Sequence, residues 1–526
     1  MADKIDKALT CVAETPFAAA ELEACLKVLE AIVAERGILA ALPEAQRRAL
    51  LVAAGRASRP DSYQERRLAR AFRRRKREAL EASDRASRAH AGIRSARSSP
   101  VFVAPAKLLP EPASAPAREL EKPKTCYVCK RGFTRLHHFY DALCPACAAF
   151  NYEKRFQTAD LAGRVALVTG ARVKIGYQAS LKLLRAGARV LATTRLPHDA
   201  AARYACEPDF ADWRDRLHVH GLDLRHAPSV ELFARYLEHS YERLDLLINN
   251  ACQTVRRPPG FYEHLLEFEA RAFEALPEAL RPLVARHHDC VHRLETPAAR
   301  AALTAAGAPD TTGLAAWQGG GSGIGVRASA RLSQVRYAYD DAERRPDLYP
   351  DGRTDADLQQ LDLRTQNSWR LTLAEVKTPE MIEVQLVNAV APFILCSRLK
   401  PLMLRAKSGD QHIVNVSAME GIFSRGTKTD RHPHTNMAKA ALNMLTLTSA
   451  RDYVQDGIHM NAVDTGWVTD EDPAVHATRK KQDLDFEPPL DIVDGAARLC
   501  DPFFSGLLTG EHLWGKFLKD YKPSSW

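Results

Sequence analysis

The sequence predicts an α/β chain: a doubly wound parallel sheet preceded by a helical region and a small four-cysteine module. Three observations predict it. From about residue 158 onward, short β-branched runs alternate with amphipathic helical stretches, the pattern of parallel strands covered by helices on both faces. Upstream, four cysteines fall into two CxxC pairs. Before them the chain is rich in Ala, Leu, Glu and Arg and carries no strand-like run.

At 526 residues the chain is too long for one ordinary domain. Its apolar fraction of 46% is that of a protein that buries real cores. Residues 1–97 form a predicted helical N-terminal region. Its last part, 66–97, is a basic arm with twelve Lys or Arg against three acids, enough to account for the whole net charge of +9. A stripe this local suggests a polyanionic partner, nucleic acid or membrane surface, although a solvated charged helix or an extended arm fits it as well. Residues 98–123 hold six prolines with Ala and Ser and read as a stiff linker. The opening MADKIDKALTC has no apolar core, and no run of about 18 apolar residues is present, so neither a secretory signal nor a transmembrane segment is expected. Cytoplasmic localisation follows as the expectation. The seven cysteines outside the two pairs (Cys11, Cys25, Cys206, Cys252, Cys290, Cys396 and Cys500) make no disulfide framework and fit a reducing compartment.

Within 124–152, Cys126, Cys129, Cys144 and Cys147 have the spacing of a structural zinc site. Each CxxC turn aims two sulfurs at one ion, and two such knuckles complete a tetrahedron with no open position. The module is therefore read as a zinc ribbon with a structural role, able to buttress the next domain or to join the basic arm in holding nucleic acid or protein. His137 and His138, between the knuckles, are read as surface residues.

Six runs read as strands from residue 158 to the C-terminus: RVALVTG, ARVLATT, LHVHGLD, LDLLINNA, HIVNVSA and GIHMNAVDTG. The first turns into a helix at Thr169, Gly170 and Gly176, where small residues permit a tight turn and backbone N–H groups at a helix start face a pyrophosphate. The motif Thr169-Gly170-Ala-Arg172-Val-Lys174-Ile175-Gly176 resembles the TGxxxGxG of the short-chain dehydrogenase/reductase (SDR) superfamily, with Lys174 in place of the middle glycine. Asn249-Asn250-Ala251-Cys252 is similar to that family's NNAG turn. The resemblance covers residues 158 to about 515 and implies a Rossmann-like domain of the SDR type.

The resemblance implies a cofactor site at Thr169, Gly170, Arg172, Lys174, Ile175, Gly176, Asp223, Leu224, Asn250, Ala251, Lys439 and Thr469, with Asp223 at the adenine. Thr194 stands where members that prefer NAD carry an acid, and Arg195 follows it, so a ribose 2′-phosphate meets a cation instead of a carboxylate. NADP is expected over NAD. For catalysis the resemblance implies Asn388, Ser417 and Lys439, and it places Thr435 where the family has its tyrosine. Threonine is shorter and a far weaker acid than a phenol of pKa about 10. His434 and His432 point away from the Lys439 face or lie before Pro433. Tyr337 and Tyr339 would have to reach in from elsewhere. Thr465-Gly466 replaces the family's PG.

An insertion at about 253–375 separates the fourth strand from the helix carrying Asn388, where the family has a far shorter connection. Such a connection is expected to be a lid, a platform or a partner surface. GGGSGIG at 319–325 follows no β-branched strand and is read as a flexible linker, not a phosphate loop. The helices around PEMIEVQLVNAVAPFILCSRLKPLML and TNMAKAALNMLTLTSARDYV fit a homodimer interface or burial in a monomer equally. Two functional readings follow. The first is an NADP-dependent oxidoreductase acting on a small-molecule carbonyl or alcohol with a rewired acid. The second is a non-catalytic NADP(H)-binding sensor or scaffold that engages nucleic acid or protein through 66–97 and 124–152.

Overall fold

In the computed structural model, which describes residues 17–99, 101, 102, 118–295, 321, 323–337 and 347–526, the six expected strands form one sheet. They are β3 (Val165–Thr169), β4 (Arg189–Thr194), β5 (Leu217–Gly221), β6 (Leu246–Asn249), β7 (Gln411–Ser417) and β8 (Ile458–Asp464). Two short strands extend the edge, β9 (Phe517–Lys519) and β10 (Lys522–Ser524), giving the order β10-β9-β8-β7-β6-β3-β4-β5. All neighbours run parallel except β9 and β10. Every residue of β3, β6, β7 and β8 is buried, as expected of strands covered on both faces.

The order reverses at β3 and β6, and a crevice opens outside their C-terminal ends. Helices α6 (Lys174–Arg185) and α14 (Ile492–Thr509) cover one face, and α8 (Ala227–Ser240) and α11 (Thr378–Leu404) the other. By length and composition alone α11 is long and apolar enough to cross a membrane, a test that the core helix of a sheet domain also passes. Half of its most apolar window is buried, and it contributes Ile394, Leu395 and Leu399 to the core. A π turn, Leu386–Val390, interrupts it. Asp491 caps α14, accepting from Val493 and Asp494 N–H while Asp494 accepts from Asp491 N–H.

Two units are distinguished. The first spans Met1–His90, Ala117–Lys124 and Gly132–Leu136. It holds α1 (Ala19–Ala34), α2 (Glu44–Ser58) and the 28-residue α3 (Ser62–Ala89), started by Asp61 accepting from Gln64 N–H at 2.8 Å. Asp84 of α3 accepts from Glu121 N–H on β1 (Glu119–Thr125), which shares a two-stranded sheet with β2 (Gly132–Arg135). β1 thus begins inside the segment read as linker. The second unit holds the rest, including both cysteine knuckles and the large sheet. The basic arm ends early: Arg94 and Arg97 lie on a separate helix, α4 (Gly92–Ser98). There Arg94 pairs with Asp141 and Asp485, and Arg97 donates to Pro488 and Leu490 carbonyls. These two cations are committed to the fold.

The insertion folds against the sheet domain. Helix α10 (Arg281–Glu295) covers β5, and Gly221 N–H donates to His287 Nδ1. GGGSGIG is no free linker over its described part. A helical turn at Ile324–Arg327 seats Gly325 against Ser229, where an added Cβ would lie 2.8 Å from the serine, and its carbonyl accepts from Asp223 N–H.

Candidate functional site: a nucleotide cleft and a buried polar cluster

The turn after β3 shapes the cleft. Gly170 takes φ +66°, and a Cβ there would lie 2.8 Å from Ala251 Cα. A Cβ on Gly176 would lie 2.3 Å from the Gly170 carbonyl. Lys174 adopts φ 55°, so the lysine keeps a left-handed conformation that glycine reaches without strain. Lys174 opens α6; desolvation would raise the half-buried Glu471 carboxyl, but the Lys174 ammonium and the Thr469 hydroxyl draw it below its ordinary range.

A cleft of about 350 Å³ lies over this turn. Of the residues expected at the cofactor, Gly170, Arg172, Lys174, Ile175, Gly176, Arg195, Asp223, Leu224, Asn250, Ala251 and Thr469 line it. Two do not. Thr169 is buried beneath, its hydroxyl accepting from Ala251 N–H at 3.0 Å, and Lys439 is buried too. Arg195 donates to the Tyr262 hydroxyl at 2.8 Å, and no carboxylate salt-bridges it among the described residues. Arg172, by contrast, is paired with Asp199 at 2.6 Å. Burial raises the Tyr262 phenol, but the Arg195, Arg172 and Arg257 guanidiniums outweigh it and leave the phenol below its ordinary pKa. Asp223 is gripped by Arg225, which also reaches Glu383 at 2.8 Å. Thr469 is held by Glu471, its hydroxyl donating at 2.6 Å.

The four residues expected to be catalytic are all buried and do not line this cleft. Asn388, in the π turn, exchanges hydrogen bonds with the Gln253 backbone, accepting at 2.8 Å and donating at 3.3 Å. Ser417 ends β7 and donates to Asn443 Oδ1 at 2.5 Å. Lys439 Nζ donates to the Val416 carbonyl at 2.6 Å. Thr435 precedes Lys439 by one turn of α12 (Pro433–Gln455), and its buried hydroxyl has no hydrogen-bond partner among the described residues. The insertion closes this region. Trp369 stacks on His432 at 3.9 Å and 6°, and His432 N–H donates to the Leu371 carbonyl.

Among the described residues, no neighbour stands in the tyrosine's place. His434 is buried beside Glu380 at 3.9 Å, and burial lowers its pKa to about 4. Tyr337 does reach the rim from the insertion, its phenol donating to Glu383 at 2.9 Å and pushed up to about 12 by burial and that carboxylate. Tyr339 lies outside the described residues. Sequence reasoning missed Gln253, Tyr262, Gln359 and Glu383 in the cleft wall, all in the insertion or at its border. The one local signal was Arg225, two residues past Asp223.

The four module sulfurs lie mutually within 4.8 Å, Cys129 and Cys144 at 3.7 Å, a donor set that suits one tetrahedral ion. His137 and His138 are half-buried rather than surface residues, their rings tilted against each other at 4.0 Å, with His138 edge-on to Tyr152. The module is joined to the sheet domain within the second unit. Tyr127 accepts from Trp467 N–H beside Gly466, which has φ +78°. Tyr140 donates to Asp494, and the fully buried Arg155 pairs with Asp491 and Asp494.

A parallel sheet whose order reverses over a glycine turn, with cations at the end of the second strand, defines a dinucleotide-binding protein of the doubly wound class. Residues 164–274 match the family model described as short chain dehydrogenase, and 366–486 that described as Enoyl-(Acyl carrier protein) reductase. The chain is a divergent member of the short-chain dehydrogenase/reductase superfamily, and the gap between the two matches falls in its insertion. An uncharacterized protein of Acanthamoeba polyphaga mimivirus is 32% identical over 396 residues, 72% of this chain and 71% of that one. Retinol dehydrogenase 11 of Mus musculus is 34% identical over 109 residues, 20% of this chain and 34% of the relative. A solved short chain dehydrogenase from Burkholderia cenocepacia in complex with NADP shares 16% identity at a TM-score of 0.40, over 68% of this chain and 96% of that one.

Proposed function

We propose that the protein is an NADP(H)-dependent oxidoreductase of the short-chain type, acting on a small-molecule carbonyl or alcohol without the family's tyrosine. The observation that carries the cofactor preference is Arg195: a cation at the end of β4, beside Thr194 and without a carboxylate partner among the described residues. Gly170 and Gly176 leave the backbone open for a pyrophosphate at the start of α6. When bound, the nicotinamide supplies or accepts hydride. The chain's own part is to hold the phosphates at the α6 turn, to keep Asn388 locked on Gln253, and to deliver a proton from a group other than Thr435. Tyr337, hydrogen-bonded to Glu383 at the rim, is the phenol best placed to be that group. Purified protein with NADPH and a panel of aldehydes and ketones tests this. Turnover is expected, and it should fall at least tenfold in Tyr337→Phe with NADPH affinity unchanged. Bound NADPH with no turnover on any member of the panel would contradict the enzymatic reading.

A second reading, a non-catalytic NADP(H)-binding sensor, is favoured by one observation: Ser417, Lys439 and Thr435 are spent on, or enclosed by, the protein itself. In it the arginines of α3 and the cysteine module, holding a structural zinc ion, engage nucleic acid or protein. Replacing Arg73, Arg74, Arg75 and Arg77 with Ala should abolish salt-sensitive binding to single-stranded RNA. No affinity of the unmodified chain at low salt would remove the nucleic-acid version. The helices α11 and α12 expose Val390, Phe393, Met437, Met444 and Leu447, an apolar stripe suited to a homodimer.

A further inference from the structure

At the end of the sheet opposite the cleft, three histidines from three elements converge. His412 is the second residue of β7 and His459 the second of β8, and the parallel register pairs them. His512 comes from the loop between α14 and β9. One nitrogen of each lies within 4.8 Å of the other two, and His412 Nε2 is 2.9 Å from His512 Nδ1. From His412 to Ser417 is about 16 Å of strand, so the trio is separate from the nucleotide site.

We infer that this trio binds one divalent transition-metal ion of the zinc class through three imidazole nitrogens, with water completing the shell. Neutral imidazole is the ligand such ions favour. Zinc–nitrogen bonds of about 2.0–2.1 Å put tetrahedral ligand atoms about 3.3 Å apart, so the nitrogens need shift by only a modest distance. His412 is fully buried. Its Nε2 meets only another histidine, and its Nδ1 has no hydrogen-bond partner among the described residues. Metal binding would use the Nε2 lone pair of His412 in place of its contact with His512 and fix the ring proton on Nδ1. His459 Nδ1 is 3.3 Å from the Gln411 carbonyl, a contact that fixes the ring and frees its Nε2. Space is reserved for the third ring: a Cβ on Gly506 would lie 2.3 Å from His512 Nδ1. Asp410 is not the fourth ligand, because both its oxygens are held by Arg164 at 2.9 and 2.7 Å. An ion here would clamp the segment leading into β9 onto β7 and β8.

The full chain, loaded with Zn²⁺ and freed of loose metal by dialysis, tests this by metal analysis and zinc X-ray absorption. The unmodified chain should show a nitrogen shell near 2.0 Å, whatever the sulfur shell contributes. His512→Gln, altering a half-buried ring, should hold one zinc fewer per chain and lose the nitrogen shell, whereas Cys144→Ser should keep that shell. A zinc shell of sulfur alone in the unmodified chain, or equal zinc content in the chain and in folded His512→Gln, would overturn the assignment.

Discussion

Arg195 and Arg172 stand on the same cleft, yet of the two only Arg172 is salt-bridged to a carboxylate, Asp199, among the described residues, so the two should respond differently to substitution. Arg195→Met is expected to weaken NADPH binding by roughly 10- to 100-fold, the worth of a charge-assisted hydrogen bond of about 1.5–3 kcal/mol, and to leave NADH nearly unchanged. Equal losses for both nucleotides would place Arg195 outside the 2′-phosphate site. Ser417 offers a second contrast. Its hydroxyl is bonded to the buried Asn443, so Ser417→Ala should cost about 1–3 kcal/mol of stability, read as a lower denaturation midpoint. Lost turnover at unchanged stability would show instead that the hydroxyl serves the substrate. Glu269 gives a pH dependence. Burial raises its carboxyl from 4.5 to about 7, while the backbone N–H groups of Asp199 and His198 oppose the rise. A carboxyl raised on folding stabilises the protonated protein, and that stability is lost as pH rises from the unfolded pKa through about 7. Glu269→Gln should therefore melt higher than the parent at pH 8, with the gap closing towards pH 5. A gap independent of pH would mean that Glu269 is ionised throughout.

The elements that sequence reasoning located share one property: their signal is local. β3 and β6 are nearly continuous apolar runs, β4, β5, β7 and β8 are short runs built around apolar and β-branched residues, and the turn at Gly170 and Gly176 has a steric reason for each glycine. β9 and β10 escaped because three residues carry no period. The insertion escaped because its partners are remote in sequence. Nothing in the string says that α10 covers β5, that Gly325 seats on Ser229, or that Tyr262 holds Arg195. Lys174 is a different case. It stands where the family has a glycine, and the chain takes φ 55° there with a lysine. The residues expected to be catalytic were chosen by type, but their partners were not legible: that Lys439 bonds Val416 and Ser417 bonds Asn443 depends on how α12 packs against β7. The cysteine module also couples beyond its own sequence, through Tyr127, Tyr140 and Arg155. Cys144→Ser should therefore lower the melting temperature of the sheet domain, followed by the near-ultraviolet signal of its buried Trp213. An unchanged melt would show that the module is not needed to hold that domain together.

At the scale of the whole chain, a doubly wound domain keeps the nucleotide cleft of its superfamily while the residues expected to be catalytic lie buried outside that cleft. If the exposed stripe on α11 and α12 pairs two copies, Phe393→Glu should convert a dimer into a monomer in sedimentation equilibrium without loss of fold. A parent chain that sediments as a monomer would dismiss that interface. Both functional readings require that the cleft accept a phosphorylated dinucleotide, and isothermal titration of the folded full chain with NADPH and with NADH measures it directly. The expected result is a saturable heat for NADPH, with affinity at least tenfold above that for NADH and lost selectively in Arg195→Met. The absence of heat with either nucleotide would contradict the account.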